Sequence, residues 1–348
     1  MDMTELRKID HLRICLEEAV EVGSTLFEHV HLVHRALPEL DLSEVDPSHR
    51  FLGKRLEFPL LIAAMTGGCT EAKRVNQELA RAAAKKGVAF GVGSQRAMIE
   101  NEALADTFSV REYAPTILLL GNIGITALKR YPQERICRAV SAIEADALCV
   151  HINPAQELFQ HEGDNDFSGC LAVLEGFCRS APFPVIAKEV GNGMSRETAQ
   201  SLERAHVSAI DVGGVGGTSW VLVDSLRSGK DSSVYRHWGI PTAASILEAR
   251  VGLPLIATGG VRNGLEMAKA IALGADVCGI ALPFLKILTH GGPSGVERYI
   301  DTLKQEFTYA MYLCGCKNIG ELKQTPVVLT GELKEWCEQR GLGVPRPL

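Results

Sequence analysis

The sequence predicts an α/β protein: a (β/α)8 TIM barrel with an N-terminal extension, a long loop after strand six and a C-terminal helical tail. Eight short apolar runs, each followed by a helix-like stretch, cover most of the 348 residues. Such alternation implies a parallel sheet, and eight units are the number that closes into a barrel. The unusual polar and glycine residues collect at the C-terminal ends of the runs, where barrel enzymes place their active sites. The pattern announces an enzyme.

Residues 1–50 precede the first strand and stand outside the repeat. Within them Thr4–Leu16 has helical spacing of apolar residues and a basic start, Arg7 and Lys8, then His11 and Arg13. The strands read LLIAAMTGG from Leu60, VAFGVGSQR from Val88, ILLLGNIG from Ile117 and ALCVHIN from Ala147. They continue with PVIAKEVG from Pro184, AIDVGGVGG from Ala209, PLIATGG from Pro254 and VCGIA from Val277. The barrel spans about residues 56–313 and ends in a long helix near Leu313. Its fourth and sixth units are stretched. An acid-rich polar loop, PAQELFQHEGDNDF, follows strand four, and Gly213–Ile246 follows strand six. Long insertions at the catalytic face shape a site or an oligomer contact. The tail, residues 314–348, carries one more outer helix in LTGELKEWCEQRG, and the whole chain, 1–348, reads as one domain.

A hydrophobic content of 46% suffices for a large core. The net charge of −6 argues against a general nucleic-acid binder, which needs positive charge against phosphates. No apolar stretch approaches the roughly 20 residues of a spanning helix, and the charged N-terminus is no signal peptide. The expectation is a soluble, cytoplasmic protein. Ten scattered cysteines, most inside apolar runs, read as buried reduced thiols.

Three glycine-rich strand ends come late: GGVGGT (Gly213–Thr218), TGGVR (Thr258–Arg262) and GIAL (Gly279–Leu282). Loops after strands seven and eight form the usual phosphate cup of a barrel, and glycine there lets backbone N–H groups approach the anion. Lys188 ends strand five directly after an apolar run, so it needs an anion or a polarised ring as partner, a Schiff-base role being the competing reading. His151 and Asn153 are two apart on strand four and share its inward face, with Gln156 and Glu157 following. Glu157 suits Mg2+, which takes one or two carboxylates beside phosphate oxygens and waters; a solvated loop acid is the plain alternative. Ser94, Gln95 and Arg96 end strand two and Asn122 ends strand three; Arg96 offers a planar fork for phosphate. On their own, Arg7 and Lys8 read as an exposed helix turn.

In order, RKIDH (Arg7–His11), AAMTGG (Ala63–Gly68), GSQR (Gly93–Arg96), GNIG (Gly121–Gly124), HINPAQE (His151–Glu157), EGD (Glu162–Asp164), KEVGNG (Lys188–Gly193), GGVGGTSW (Gly213–Trp220), WGIPT (Trp238–Thr242) and TGGVRNG (Thr258–Gly264) closely resemble the type 2 isopentenyl-diphosphate isomerases. The match runs through the LTGELKEW tail. It departs at His161, where a proline is expected, and at His237, where a glycine is common.

The resemblance implies FMN, Mg2+ and NADPH as reductant, with isopentenyl and dimethylallyl diphosphate as substrate and product. It implies flavin contacts from Met65, Thr66, Gly67, Ser94, Asn122, Lys188 and Thr218, and a phosphate pocket from Gly259, Gly260, Arg262, Ala281 and Leu282. Arg7, Lys8, Ser94, Gln95, Arg96, His151, Asn153 and Gln156 would surround the substrate, with Glu157 on the metal. His151, Gln156 and Lys188 would serve the chemistry. A homo-oligomer, tetramer or octamer, is implied as well, with no nucleic-acid or membrane partner. The rivals are an FMN-dependent 2-hydroxy-acid oxidase or dehydrogenase of the same barrel type and, from a different class, a non-catalytic flavin-binding protein. The oxidase wants a histidine beside an arginine at a strand end, which GGVGGTSW lacks.

Overall fold

The computed structural model describes residues 3–343, with side chains from Leu6 onward; residues 1–2 and 344–348 of the expected extension and tail lie outside the described residues. The eight expected runs form β1 (Leu60–Ile62), β2 (Ala89–Gly91), β3 (Leu119–Gly124) and β4 (Ala147–Ile152), then β5 (Val185–Glu189), β6 (Ala209–Asp211), β7 (Leu255–Thr258) and β8 (Val277–Ile280). Each pairs in parallel with the next, and β8 closes onto β1. Both faces of every strand are covered, which explains why the runs are apolar throughout and do not alternate with polar residues.

Period-two alternation sorts the strand residues into two cores. Leu60, Ile62, Phe90 and Leu119 face outward and pack with the surrounding helices. Leu61, Leu120, Cys149, Ile186, Ile256 and Val277 fill the lumen. Phe51 and Leu56 join that inner cluster from a hairpin, His49–Phe51 against Lys54–Leu56, and plug the N-terminal end of the barrel. One step further along the inward rows the chemistry changes. Asn122, His151, Lys188, Asp211 and Thr258 form a polar top layer, and His151, Lys188 and Asp211 are register partners on β4, β5 and β6.

The N-terminal helix, Met3–Glu17, and the tail helix, Gly331–Arg340, lie where expected, and strand Val30–Leu32 pairs with Val327–Leu329 to tie extension to tail. Two expectations need correction. The stretch after β4 opens as a helix, Pro154–Phe159, because Pro154 fixes a helical φ at its first position. The long closing helix, Leu282–Leu313, is broken at Gly292 (φ 62°), where Pro293 brings no N–H to continue the ladder. All ten cysteines are free thiols, eight of them buried. No helix among the described residues is long and apolar enough to cross a membrane.

Candidate active site

The polar top layer floors a cleft of about 1680 Å³, counting its open mouth, at the C-terminal end of the barrel. On the β5–β7 side Lys188 Nζ donates to Asp211 Oδ2 at 2.8 Å and to Thr258 Oγ1 at 3.2 Å, and Thr258 donates to the other Asp211 oxygen. Lys188 and Asp211 are both buried, so this ammonium arrives in the cleft with its charge already compensated. His151 Nδ1 lies 2.8 Å from Asn122 Oδ1, an acceptor, so that nitrogen carries the proton. Burial first, then the charges of Lys8, Lys188 and Arg7, pushes the His151 pKa down to about 3 and leaves the ring neutral.

The glycine loops line the same side. Gly259 (φ 109°) and Gly260 (φ 74°) sit in backbone conformations that disfavour any side chain, and a Cβ on Gly260 would fall 2.3 Å from the Gly216 carbonyl oxygen. Thr218, Ala281 and Leu282 complete this wall, with Met65, Thr66, Ser94 and Asn122 beside it. Thr66 Oγ1 is buried without a hydrogen-bond partner among the described residues. Arg262 also reaches the cleft, its guanidinium held by Glu21 and by the Val261 carbonyl.

The opposite wall is cationic. The N-terminal helix lies across the mouth and presents Arg7, Lys8, His11, Leu12 and Cys15 to the cleft, joined by Arg96 and Arg130. The reading of Arg7 and Lys8 as an exposed turn is therefore overturned: helical spacing puts both on the face that docks against the barrel. Arg7 reaches Gln160 Oε1 and Glu162 Oε1, each at 3.3 Å. Burial, reinforced by Arg7, lowers the Lys8 pKa to about 8. Among the described residues no carboxylate lies within ion-pair distance of its ammonium.

Asn153, Gln156 and Glu157 stand together at the start of helix Pro154–Phe159. Glu157 is the one carboxylate on the cleft wall among the described residues, and its oxygens accept from Asn153 Nδ2 and from the Asp164 backbone N–H, both at 2.8 Å. Gly163 makes that turn possible, since a Cβ there would lie 1.9 Å from the Glu157 carbonyl oxygen. No group of three or more histidine, cysteine, aspartate or glutamate side chains converges as a metal cage among the described residues. His161 and His237 are exposed and leave the cleft untouched.

Two expected site residues are not on the wall. Gln95 is buried behind it, donating to the Ala139 carbonyl at 2.8 Å and accepting from the Asn122 N–H at 3.1 Å. It supports β3 and does not line the cleft. Gly67 packs under Phe108, where a Cβ would strike the ring. Conversely, Asp211, Thr258, Asp224 and Trp220 belong to the cleft and its support, although Thr258 and Trp220 only bounded motifs without a role and Asp211 and Asp224 lay outside them. Counting in twos from Ile256 or Ala209 would have put Thr258 and Asp211 on the inward face.

The profile of the FMN-dependent dehydrogenases matches residues 16–117 and 153–329. Isopentenyl-diphosphate delta-isomerase of Methanosarcina mazei is 48% identical, covering 99% of this chain and 97% of its own. That of Archaeoglobus fulgidus is 49% identical over 97% and 99%. The chain belongs to the FMN-dependent isopentenyl-diphosphate delta-isomerase family. The enzyme of Pyrococcus abyssi, at 44% identity over 97% of this chain and 96% of its own, is a further relative.

Among solved structures, mandelate oxidase with a monooxide FMN adduct superposes with a TM-score of 0.62 at 19% identity, covering 92% of each chain. A mandelate oxidase with (S)-mandelic acid reaches 0.65 at 18% identity, covering 93% and 94%. At that identity the likeness speaks for the barrel alone.

Proposed function

We propose that the chain moves the double bond of isopentenyl diphosphate to give dimethylallyl diphosphate, with reduced FMN, with Mg2+ on the diphosphate and with NADPH as reductant. The observation that carries this reading is the division of one cleft into a glycine-cradled wall, where Lys188 is paired with Asp211, and a cationic wall, where Lys8 has no carboxylate within ion-pair distance among the described residues. The first wall fits a flavin: the Thr66 hydroxyl lacks a partner among the described residues, and Gly259 and Gly260 line the cleft without side chains, in conformations that suit a phosphate loop. Met65, Thr66, Ser94, Asn122, Lys188 and Thr218 would hold its ring and chain, and Gly259, Gly260, Arg262, Ala281 and Leu282 its phosphate. When bound, reduced FMN supplies an acid–base nitrogen and an electron-rich ring face without net electron transfer.

The remaining work falls to the chain. A double-bond shift adds a proton at one carbon and removes one from another, with positive charge developing between them. Lys188 would stabilise negative charge on a bound flavin, and Asp211 and Thr258 hold its ammonium in place. Neutral His151 and Gln156 position the isoprenyl group for proton transfer. Arg7, Lys8 and Arg96 bind the diphosphate, with Ser94 and Asn153 adding hydrogen bonds. Glu157, oriented by Asn153 and the Asp164 N–H, fits a Mg2+ held by one carboxylate plus phosphate oxygens. Free cysteines suit a reducing cytoplasm, and exposed Val234 and Trp238 suit contact with a second copy.

The oxidase reading is disfavoured by His151. An amide, not a carboxylate, supports its ring, and its proton affinity is low, the opposite of what a base for an α-proton requires. The test is incubation of isopentenyl diphosphate with the reduced FMN holoenzyme and Mg2+. The expected product is dimethylallyl diphosphate with no NADPH consumed per turnover. NADPH oxidation matching product would overturn the isomerase mechanism.

A further inference from the structure

Gln156 is tied to Asp224, a buried carboxylate behind the cleft wall. Asp224, on the helix Trp220–Ser228, has no exposed surface. Its Oδ2 accepts from Gln156 Nε2 at 2.8 Å. Its Oδ1 accepts from Arg227 Nε at 3.0 Å and lies 2.9 Å from His11 Nε2. Arg227 in turn grips Glu162 through both carboxylate oxygens, at 3.0 and 2.9 Å. At its other end Gln156 Oε1 accepts from Asn153 Nδ2 at 3.1 Å. Asn153 and Gln156 line the cleft and Asp224 does not.

We propose that Asp224 is a positioning residue for the isomerisation, fixing Gln156 with its amide N–H turned away from the reacting atoms and its carbonyl oxygen turned toward the cleft. This deepens the function proposed above and rests on it.

An ionised carboxylate only accepts hydrogen bonds, so it tolerates one orientation of the amide and rejects the flipped one. Burial alone would raise the Asp224 pKa, but His11, Gln156 and Arg227 together hold it below the ordinary carboxylate range. A full negative charge one hydrogen bond behind an amide also polarises it and enriches its oxygen. Gln156 then meets the substrate as an acceptor. Such a group stabilises positive charge on the isoprenyl skeleton, whereas an amide N–H pointed there would oppose it. Asp224 itself forms and breaks no covalent bond.

The competing role is mechanical. Asp224 also holds His11, which rides on the helix bearing Arg7 and Lys8, so it fastens that helix whatever it does to Gln156. The two roles separate in the kinetics of the FMN holoenzyme. Asp224→Asn keeps the shape but adds an N–H, which lets the Gln156 amide turn. It should lower kcat roughly tenfold to a hundredfold while KM for isopentenyl diphosphate changes little. In a Gln156→Ala background the same substitution should cost no further kcat, because the residue it acts through is gone.

If Asp224→Asn loses FMN or melts far below the wild type, Asp224→Ser, which removes the charge with a smaller side chain, carries the same cycle, and Asp224→Glu, which keeps the charge, should retain kcat well above it. A raised KM with unchanged kcat, or losses that simply add to those of Gln156→Ala, would overturn the inference and leave the function standing. A wild-type holoenzyme that leaves isopentenyl diphosphate unchanged would overturn both.

Discussion

Two lysines face the same cleft under opposite conditions. Lys188 stands on a barrel strand, buried, with Asp211 and Thr258 within hydrogen-bond reach. Lys8 rides on a helix laid over the mouth, half-buried, and its pKa is lowered to about 8 because burial and Arg7 both oppose its charge. A compensated cation can polarise a neutral ring edge at little cost, and the rigid strand fixes where it does so. An uncompensated cation is an incomplete ion pair, completed by an anionic ligand. The wall around Lys188 is thus finished within the fold, whereas Lys8, on the wall proposed for the diphosphate, is left to be paired by a ligand.

The largest effect should come from spoiling the finished wall. Gly260→Ala places a Cβ against the Gly216 carbonyl at a positive φ, and the purified protein should lose its stoichiometric FMN, read from its visible absorbance. Lys188→Met strands Asp211 and should cost about 3–5 kcal/mol of stability, measured by denaturant unfolding. Lys8→Met should leave stability almost unchanged. Equal losses from the two lysine variants would dissolve the comparison.

On the diphosphate wall, Lys8→Met should raise KM about 10- to 100-fold, as expected for a lost charged hydrogen bond worth ~1.5–3 kcal/mol, with FMN content intact. Because only the protonated amine attracts the diphosphate, kcat/KM should fall as pH rises through about 8, and Lys8→Arg should remove that limb. Glu157→Gln should raise the Mg2+ concentration needed for half-maximal rate more than Glu162→Gln does. An unchanged Mg2+ dependence in Glu157→Gln would remove the metal from that residue. The smallest effect belongs to Thr66→Val. Deleting a buried hydroxyl without a partner should stabilise the apoprotein by about 1 kcal/mol while weakening FMN binding.

The sequence alone determined the barrel, because β/α alternation and strand-end glycines are local patterns with a fixed period. It also located Lys188, His151, Asn153, Gln156 and Glu157 at strand ends, since an apolar run breaking into polar residues is visible in one dimension. Tertiary structure decided the rest. Gln95, next to Ser94 and Arg96 in one motif, turns behind the wall because the chain bends into helix Arg96–Glu100. Arg7 and Lys8 have no local reason to be buried; the helix carrying them is drawn over the mouth by contacts such as His11 with Asp224, 213 positions away in the chain. Asp211 hides in an apolar run, and its meaning appears only when Lys188 is 2.8 Å away. Periodicity reports which face a residue occupies, whereas the partner across that face is set by how distant segments close on one another.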